Sequence, residues 1–147
     1  MLDFKRLFIL FTLLLATGTA IAEPLITVHK SPSCGCCGKW VDYLRKEGFE
    51  VKAIDEANLT PIKEKAGVKP EMASCHTAMV DGYVLEGHVP ADVIAKLLAE
   101  RPAGVVGLAV PGMPMGSPGM ESADGFKTPY QVMAFTQDGQ SRVYATK

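Results

Sequence analysis

The chain has 147 residues, with 15 Lys and Arg against 16 Asp and Glu, a formal net charge of −1 and four cysteines. A near-neutral chain without a basic patch argues against nucleic acid as a partner. The length allows one domain with a modest core rather than a multidomain enzyme. Residues 1–22 read as an export signal: Lys5 and Arg6 start it, Leu7 to Leu15 is apolar but for Thr12, and Ala20-Ile21-Ala22 forms a small-x-small cleavage site before Glu23. That run falls short of the ~20 apolar residues that span a bilayer, so no membrane segment is expected in the mature form. The mature chain, 23–147, then has 125 residues and, without Asp3, Lys5 and Arg6, a net charge of −2.

Leu25 to Val28 is apolar and partly β-branched, as a buried strand is. Ser31-Pro32-Ser33 ends it, and a helix starts within Cys34 to Gly38. Trp40, Val41 and Leu44 make its apolar stripe, opposite Lys39, Asp42, Arg45 and Lys46, and Gly48 follows as a C′ residue. Phe49 to Ile54 alternates as a second strand, and the intervening helix implies a parallel pair. Thr60-Pro61 reads as an N-cap with Pro at N1, opening a short helix to about Ala66, followed by an extended loop from Val68 to Ser74. His76 to Val80 and Tyr83 to Glu86 flank Asp81-Gly82, a hairpin signal. Pro90 opens a third helix whose buried face is Val93, Ile94, Leu97 and Leu98. Gly104 to Gly119 is rich in Gly and Pro, and a last hairpin, Gln131 to Thr136 with Ser141 to Tyr144, turns at Asp138-Gly139. The expected fold is α/β: a thioredoxin-like mixed sheet flanked by helices, with a Gly/Pro/Met-rich loop and a C-terminal β-hairpin that extends the sheet or covers one edge. In such a fold the loop holding Cys75 and His76 faces the turn holding Cys34, Cys36 and Cys37.

Exported cysteines usually end as structural disulfides. Cys34, Cys36 and Cys37 are too close in sequence to staple distant parts of a fold, which makes chemistry their expected use. One reading is thiol-disulfide exchange, with Cys34 attacking and Cys37 resolving at a helix N-terminus that lowers a thiolate pKa. Cys36 complicates it as a competing thiol, and Cys75 stands where such oxidoreductases usually keep a cis-proline. The other reading is a soft metal. Thiolates and thioethers select Cu(I), and Cys34, Cys36, Cys37 and Cys75 offer four sulfurs, with Met113, Met115 and Met120 on the glycine-rich loop and His76 beside Cys75. Zinc would accept such a set in a structural module, but C-x-C-C is not a zinc-knuckle spacing and zinc leaves the methionines without a role. His29 is weighed evenly between ligand and bystander; His88 reads as a solvated turn residue, and Trp40, Met72, Met79 and Met133 as packing.

Three stretches carry a resemblance: Val28-His29-Lys30-Ser31-Pro32-Ser33-Cys34-Gly35-Cys36-Cys37-Gly38-Lys39-Trp40, Ser74-Cys75-His76-Thr77, and Val110-Pro111-Gly112-Met113-Pro114-Met115-Gly116-Ser117-Pro118-Gly119-Met120. They resemble, in the same order, the motifs of the CopG-like family of bacterial periplasmic copper-resistance proteins. The resemblance implies a thioredoxin-like fold and copper binding by Cys34, Cys36, Cys37 and Cys75, with the methionine loop as lid or auxiliary ligand set. It further implies work in the periplasm beside copper-export proteins. It leaves open whether there is enzymatic turnover, by copper or by thiols.

Overall fold

The structure, a computed structural model, describes residues 24–147. The export-signal reading of residues 1–22 lies outside them. Strands β1 (Ile26–Lys30), β2 (Val51–Asp55), β3 (His76–Val80), β4 (Tyr83–Glu86), β5 (Val105–Ala109), β6 (Gln131–Thr136) and β7 (Ser141–Thr146) form one sheet in the order β2-β1-β3-β4-β5-β6-β7. Helices α1 (Gly35–Lys46), α2 (Thr60–Lys65) and α3 (Ala91–Glu100) complete the fold. β1 and β2 are parallel across α1, and β4 and β5 are parallel across α3; the remaining neighbours are antiparallel. The result is a mixed α/β sheet. Among the described residues no helix is long and apolar enough to cross a membrane.

Strand periodicity decides which face each side chain meets. Ala78 and Val80 of β3, Leu85 of β4 and Leu108 of β5 join Trp40, Val41 and Leu44 of α1 and Val93, Ile94 and Leu97 of α3 in one core. Met79, Val84, Ala109 and Phe135 lie on the opposite face with Val68 and Met72. This alternation sends His76 toward α1 and puts Thr77 and Glu86, paired across β3 and β4, toward α2.

Several boundaries differ from the sequence reading. The Gly/Pro-rich stretch after Pro102 contains a strand, β5, which pairs with β4 and buries Leu108 and Ala109 completely. Its Val-Val-Gly-Leu-Ala run is short and apolar, as fully buried parallel strands are, and the neighbouring glycines and prolines masked it. The second strand begins at Val51 rather than Phe49. Thr60 does not cap α2; its own amide donates to Oδ1 of Asn58 at 3.0 Å, and Leu59 holds the cap position. The loop after Val68 contains a 3-10 turn at Pro70–Met72. The final hairpin extends the sheet, with β7 running to Thr146.

Candidate metal and thiol centre

The site is built where β1 ends and α1 begins. Cys34 is the N-cap of α1, in extended conformation, and Gly35, Cys36 and Cys37 form the first turn. Cys37 is fully buried under the helix, while Cys34 and Cys36 are half-buried. Cys34 and Cys37 are joined by a disulfide, their Cα atoms 5.3 Å apart. Cys36 and Cys75 carry free thiols. Cys36 Sγ lies 3.5 Å from Cys34 Sγ and 4.0 Å from Cys75 Sγ. All four sulfurs fall within 4.8 Å of one another. Two segments about 40 residues apart are thus brought to one point, because β3 pairs beside β1 and its leading residue pair faces the α1 turn.

His76 and His88 complete the cluster from the other side. Cys75 Sγ is 3.4 Å from His76 Nδ1 and 3.0 Å from His88 Nε2. His88 is fully buried, not a solvated turn residue, which corrects the sequence reading. Its Nδ1 lies 2.7 Å from the carbonyl oxygen of Pro118. A carbonyl only accepts, so that nitrogen carries the proton and Nε2 presents its lone pair to Cys75. The one sequence cue was its place between Gly87 and Pro90, which reads equally as a surface turn. His76 packs against Trp40, ring centres 4.4 Å apart, and its Nε2 is buried without a partner. Trp40 fills the core as expected and donates Nε1–H to the Val89 carbonyl at 3.0 Å. His29 is drawn away: its Nδ1 lies 2.9 Å from Glu56 Oε1.

Burial sets the protonation of this group. It pushes the Cys75 thiol up to about 11, with the neighbouring Cys36 adding in the same direction. Burial holds His76 down at about 3, assisted by His88 and Lys63, and also lowers His88, against the Pro118 hydrogen bond. At neutral pH the metal-free cluster therefore holds two neutral imidazoles and a protonated Cys75. Cys75 should consequently alkylate at least about tenfold more slowly than an ordinary cysteine at pH 8. The thiolate fraction falls by about two orders of magnitude, and the higher nucleophilicity of a more basic thiolate returns about one. Mass-spectrometric alkylation rates across pH 7–11 check this; a rate that does not climb with pH would contradict it.

The methionine loop lies over the same end of α1. Gly119 is buried with φ +86°, and a Cβ there would stand 2.8 Å from the Cys36 carbonyl oxygen and 2.9 Å from the Trp40 amide nitrogen. Gly112 is tied to Ala73 and Ser74, the residues before Cys75. Met120, beside Gly119, is half-buried, whereas Met113 and Met115 are 54% and 40% exposed. Gly119→Ala should lift the loop, because both clashing atoms are backbone and the conformation disfavours a side chain. We expect a loss of ~1–3 kcal/mol in thermal or denaturant unfolding, with faster alkylation of Cys36 and Cys75.

The donor chemistry fits a soft or borderline metal: four sulfurs and the two imidazoles of His76 and His88. Two solved structures of a copper resistance protein CopG are similar to this chain. Form 2 has a TM-score of 0.80 at 46% identity, and Form 1 has 0.79 at 47%; each match covers 85% of this chain and 98% of theirs. A family model described as a protein of unknown function, DUF411, matches residues 72–120, from the Cys75 loop to the end of the methionine loop. Among curated proteins, none matches the sequence. At such identity over nearly the whole length of the solved chains, this chain belongs to the CopG family of copper-resistance proteins.

Proposed function

We propose that the protein is a periplasmic copper-binding protein of copper resistance and homeostasis that holds Cu(I) in a thiolate site. The observation that carries this is the convergence of Cys34, Cys36, Cys37 and Cys75 within 4.8 Å, in a chain whose solved relatives are copper resistance proteins. Reducing the Cys34–Cys37 bond gives four thiols. Bridging sulfurs let such a set hold more than one Cu(I), and His76 adds nitrogen. Met120, next to the Gly119 contact, suits an auxiliary ligand; Met113 and Met115 suit capture of Cu(I) from solvent and its hand-over to copper-export partners, or a lid that closes on the loaded site. Uptake displaces protons from the sulfurs, most clearly from Cys75, so affinity falls as pH falls. Cycling between Cu(I) and Cu(II) belongs to the same reading. Residues 1–22 support export, and the β1-α1-β2 and β3-β4-α3 succession supports a thioredoxin-like ancestry for this half of the sheet.

The formed Cys34–Cys37 disulfide at the N-terminus of α1 favours a second reading, thiol-disulfide exchange. Metal content and thiol count of the protein from the periplasm of copper-fed cells separate the two. Copper at one or more ions per chain, with thiols protected until a Cu(I) chelator is added, supports the copper site. Metal-free protein that takes up no Cu(I) after reduction supports the oxidoreductase.

A further inference from the structure

A cavity beside the methionine loop contains no residue of the cysteine cluster. It opens between the 3-10 turn, that loop and the start of β6, and Met72, Pro111, Pro114, Tyr130 and Met133 line it. Glu71 lines it too, and no cysteine, histidine, lysine or arginine does so among the described residues. Met113 and Met115 flank Pro114 and are 54% and 40% exposed. We propose that this cavity is a separate soft-metal site, in which Met72 and Met133, with Met113 and Met115 at the rim, take up Cu(I) through thioethers before it reaches the cysteines. This rests on the copper reading above and adds a donor set that contains no thiol.

Backbone pairing brings the four methionines together from three stretches of chain. The Gly112 amide donates to the Ala73 carbonyl at 3.2 Å, and the Ser74 hydroxyl donates to the Gly112 carbonyl, so Met113 is held beside the Met72–Ala73 segment. The Met115 carbonyl accepts from the Thr128 amide at 2.9 Å, which holds it beside Pro129 and Tyr130. Met133 pairs with Ala109 and alternates with Val132 and Ala134, which enter the core on the other face. Met72 and Met133 are half-buried, and their unbranched side chains can turn onto an ion without a backbone shift. Thioethers select Cu(I), and the Glu71 carboxylate, with no cationic side chain in the lining, favours a cation over an anion. The volume, about 620 Å³, leaves room for an ion still held by a small carrier ligand. Thioethers carry no proton and form no disulfide, so uptake here needs neither deprotonation nor an open Cys34–Cys37 bond. Met72 lies three residues before Cys75, so passage onward is an exchange of sulfur ligands with no change in oxidation state.

Ag(I), a soft monovalent ion like Cu(I), tests the site without redox chemistry. The protein is labelled with carbon-13 at its methionine methyl groups. Its Cys34–Cys37 disulfide is kept, and Cys36 and Cys75 are capped with iodoacetamide, so that no thiolate remains. One equivalent of Ag(I) should shift the methyl signals of Met72, Met113, Met115 and Met133 together. Met79, on the same sheet face but outside the cavity lining, should not move. Met72→Leu with Met133→Leu, a swap of similar volume, should weaken Ag(I) binding at least about tenfold while circular dichroism stays native, since even outer-shell partners of metal ligands reach that effect. Met79→Leu should leave binding as it was. Shifts confined to Met113 and Met115, no response at all, or binding untouched by the double substitution overturns the inference. Cu(I) retention by the reduced, uncapped protein is measured in parallel against a chelator. Retention there, with no methyl response, rejects only the inference; lost retention, with the four methyl groups still responding, rejects the thiolate reading and leaves the cavity site standing.

Discussion

Cys75→Ser is expected to lower Cu(I) retention by on the order of 100-fold or more, the largest loss from any single cysteine. Disturbing only an outer-shell partner of a metal ligand already costs up to about that much. Cys75 is the one residue common to the four-sulfur group and to the group it forms with His76 and His88. Its sulfur is 4.0 Å from Cys36 and 3.0 Å from His88, so removing it separates the α1 turn from the imidazoles. Serine is a hard oxygen donor that holds its proton, and a soft ion gains little from it. The fold should survive, because Cys75 is half-buried ahead of β3 and contributes no core packing. Competition against a Cu(I) chelator gives the affinity, and a melting curve of the metal-free variant shows that the loss is local. Cys36→Ser should do less, since Cys36 belongs only to the four-sulfur group. Retention unchanged in both variants would remove the thiolate site.

How much of this was legible in the sequence depends on the range of the interaction. The cysteine turn and its capping position on α1 are local, written within a few residues, and the chain order sufficed to bring Cys75 opposite them. The amphipathic stripe of Trp40, Val41 and Leu44 was equally local, and all three are buried. His88 was misread because nothing nearby marks it as buried; what buries it is the Pro118 carbonyl, 30 residues on, delivered by a loop whose path only the fold defines. His29 shows the converse: it ends near the cysteines in sequence, yet Glu56, across the parallel β1–β2 pair, takes its ring nitrogen. β5 was hidden because a strand buried on both faces has no polar alternation to betray it. Glu86 gave no signal at all, since a charged residue ending a strand ordinarily reads as solvated.

Glu86→Ala is expected to cost about 3 kcal/mol of stability and to disorder the Cys75 segment beyond that general loss. Glu86 is fully buried on the α2 face of the sheet. Its carboxylate accepts from the Lys63 ammonium, from the Ser74 amide at 2.6 Å and from the Thr77 hydroxyl at 2.6 Å. Ser74 and Thr77 bracket Cys75 and His76, so one carboxylate fixes both ends of the Cys75–His76 segment. Burial raises the Glu86 pKa, and the hydrogen bond from Lys63 is the largest opposing influence. Alanine would strand Lys63 and leave the Ser74 amide and Thr77 hydroxyl without their acceptor. Breaking a buried pair typically costs 3–5 kcal/mol. The lower end applies because the Lys63 side chain is 17% exposed and can turn toward water. Replacing both charges, Lys63→Met with Glu86→Leu, should recover part of the stability, since the buried cation is then gone. It should not recover copper affinity, because the Ser74 and Thr77 donors remain unpaired. Denaturant unfolding gives the first quantity and chelator competition, at a temperature where every variant is folded, gives the second. Affinity restored together with stability would mean that Glu86 holds up the fold without positioning Cys75 and His76.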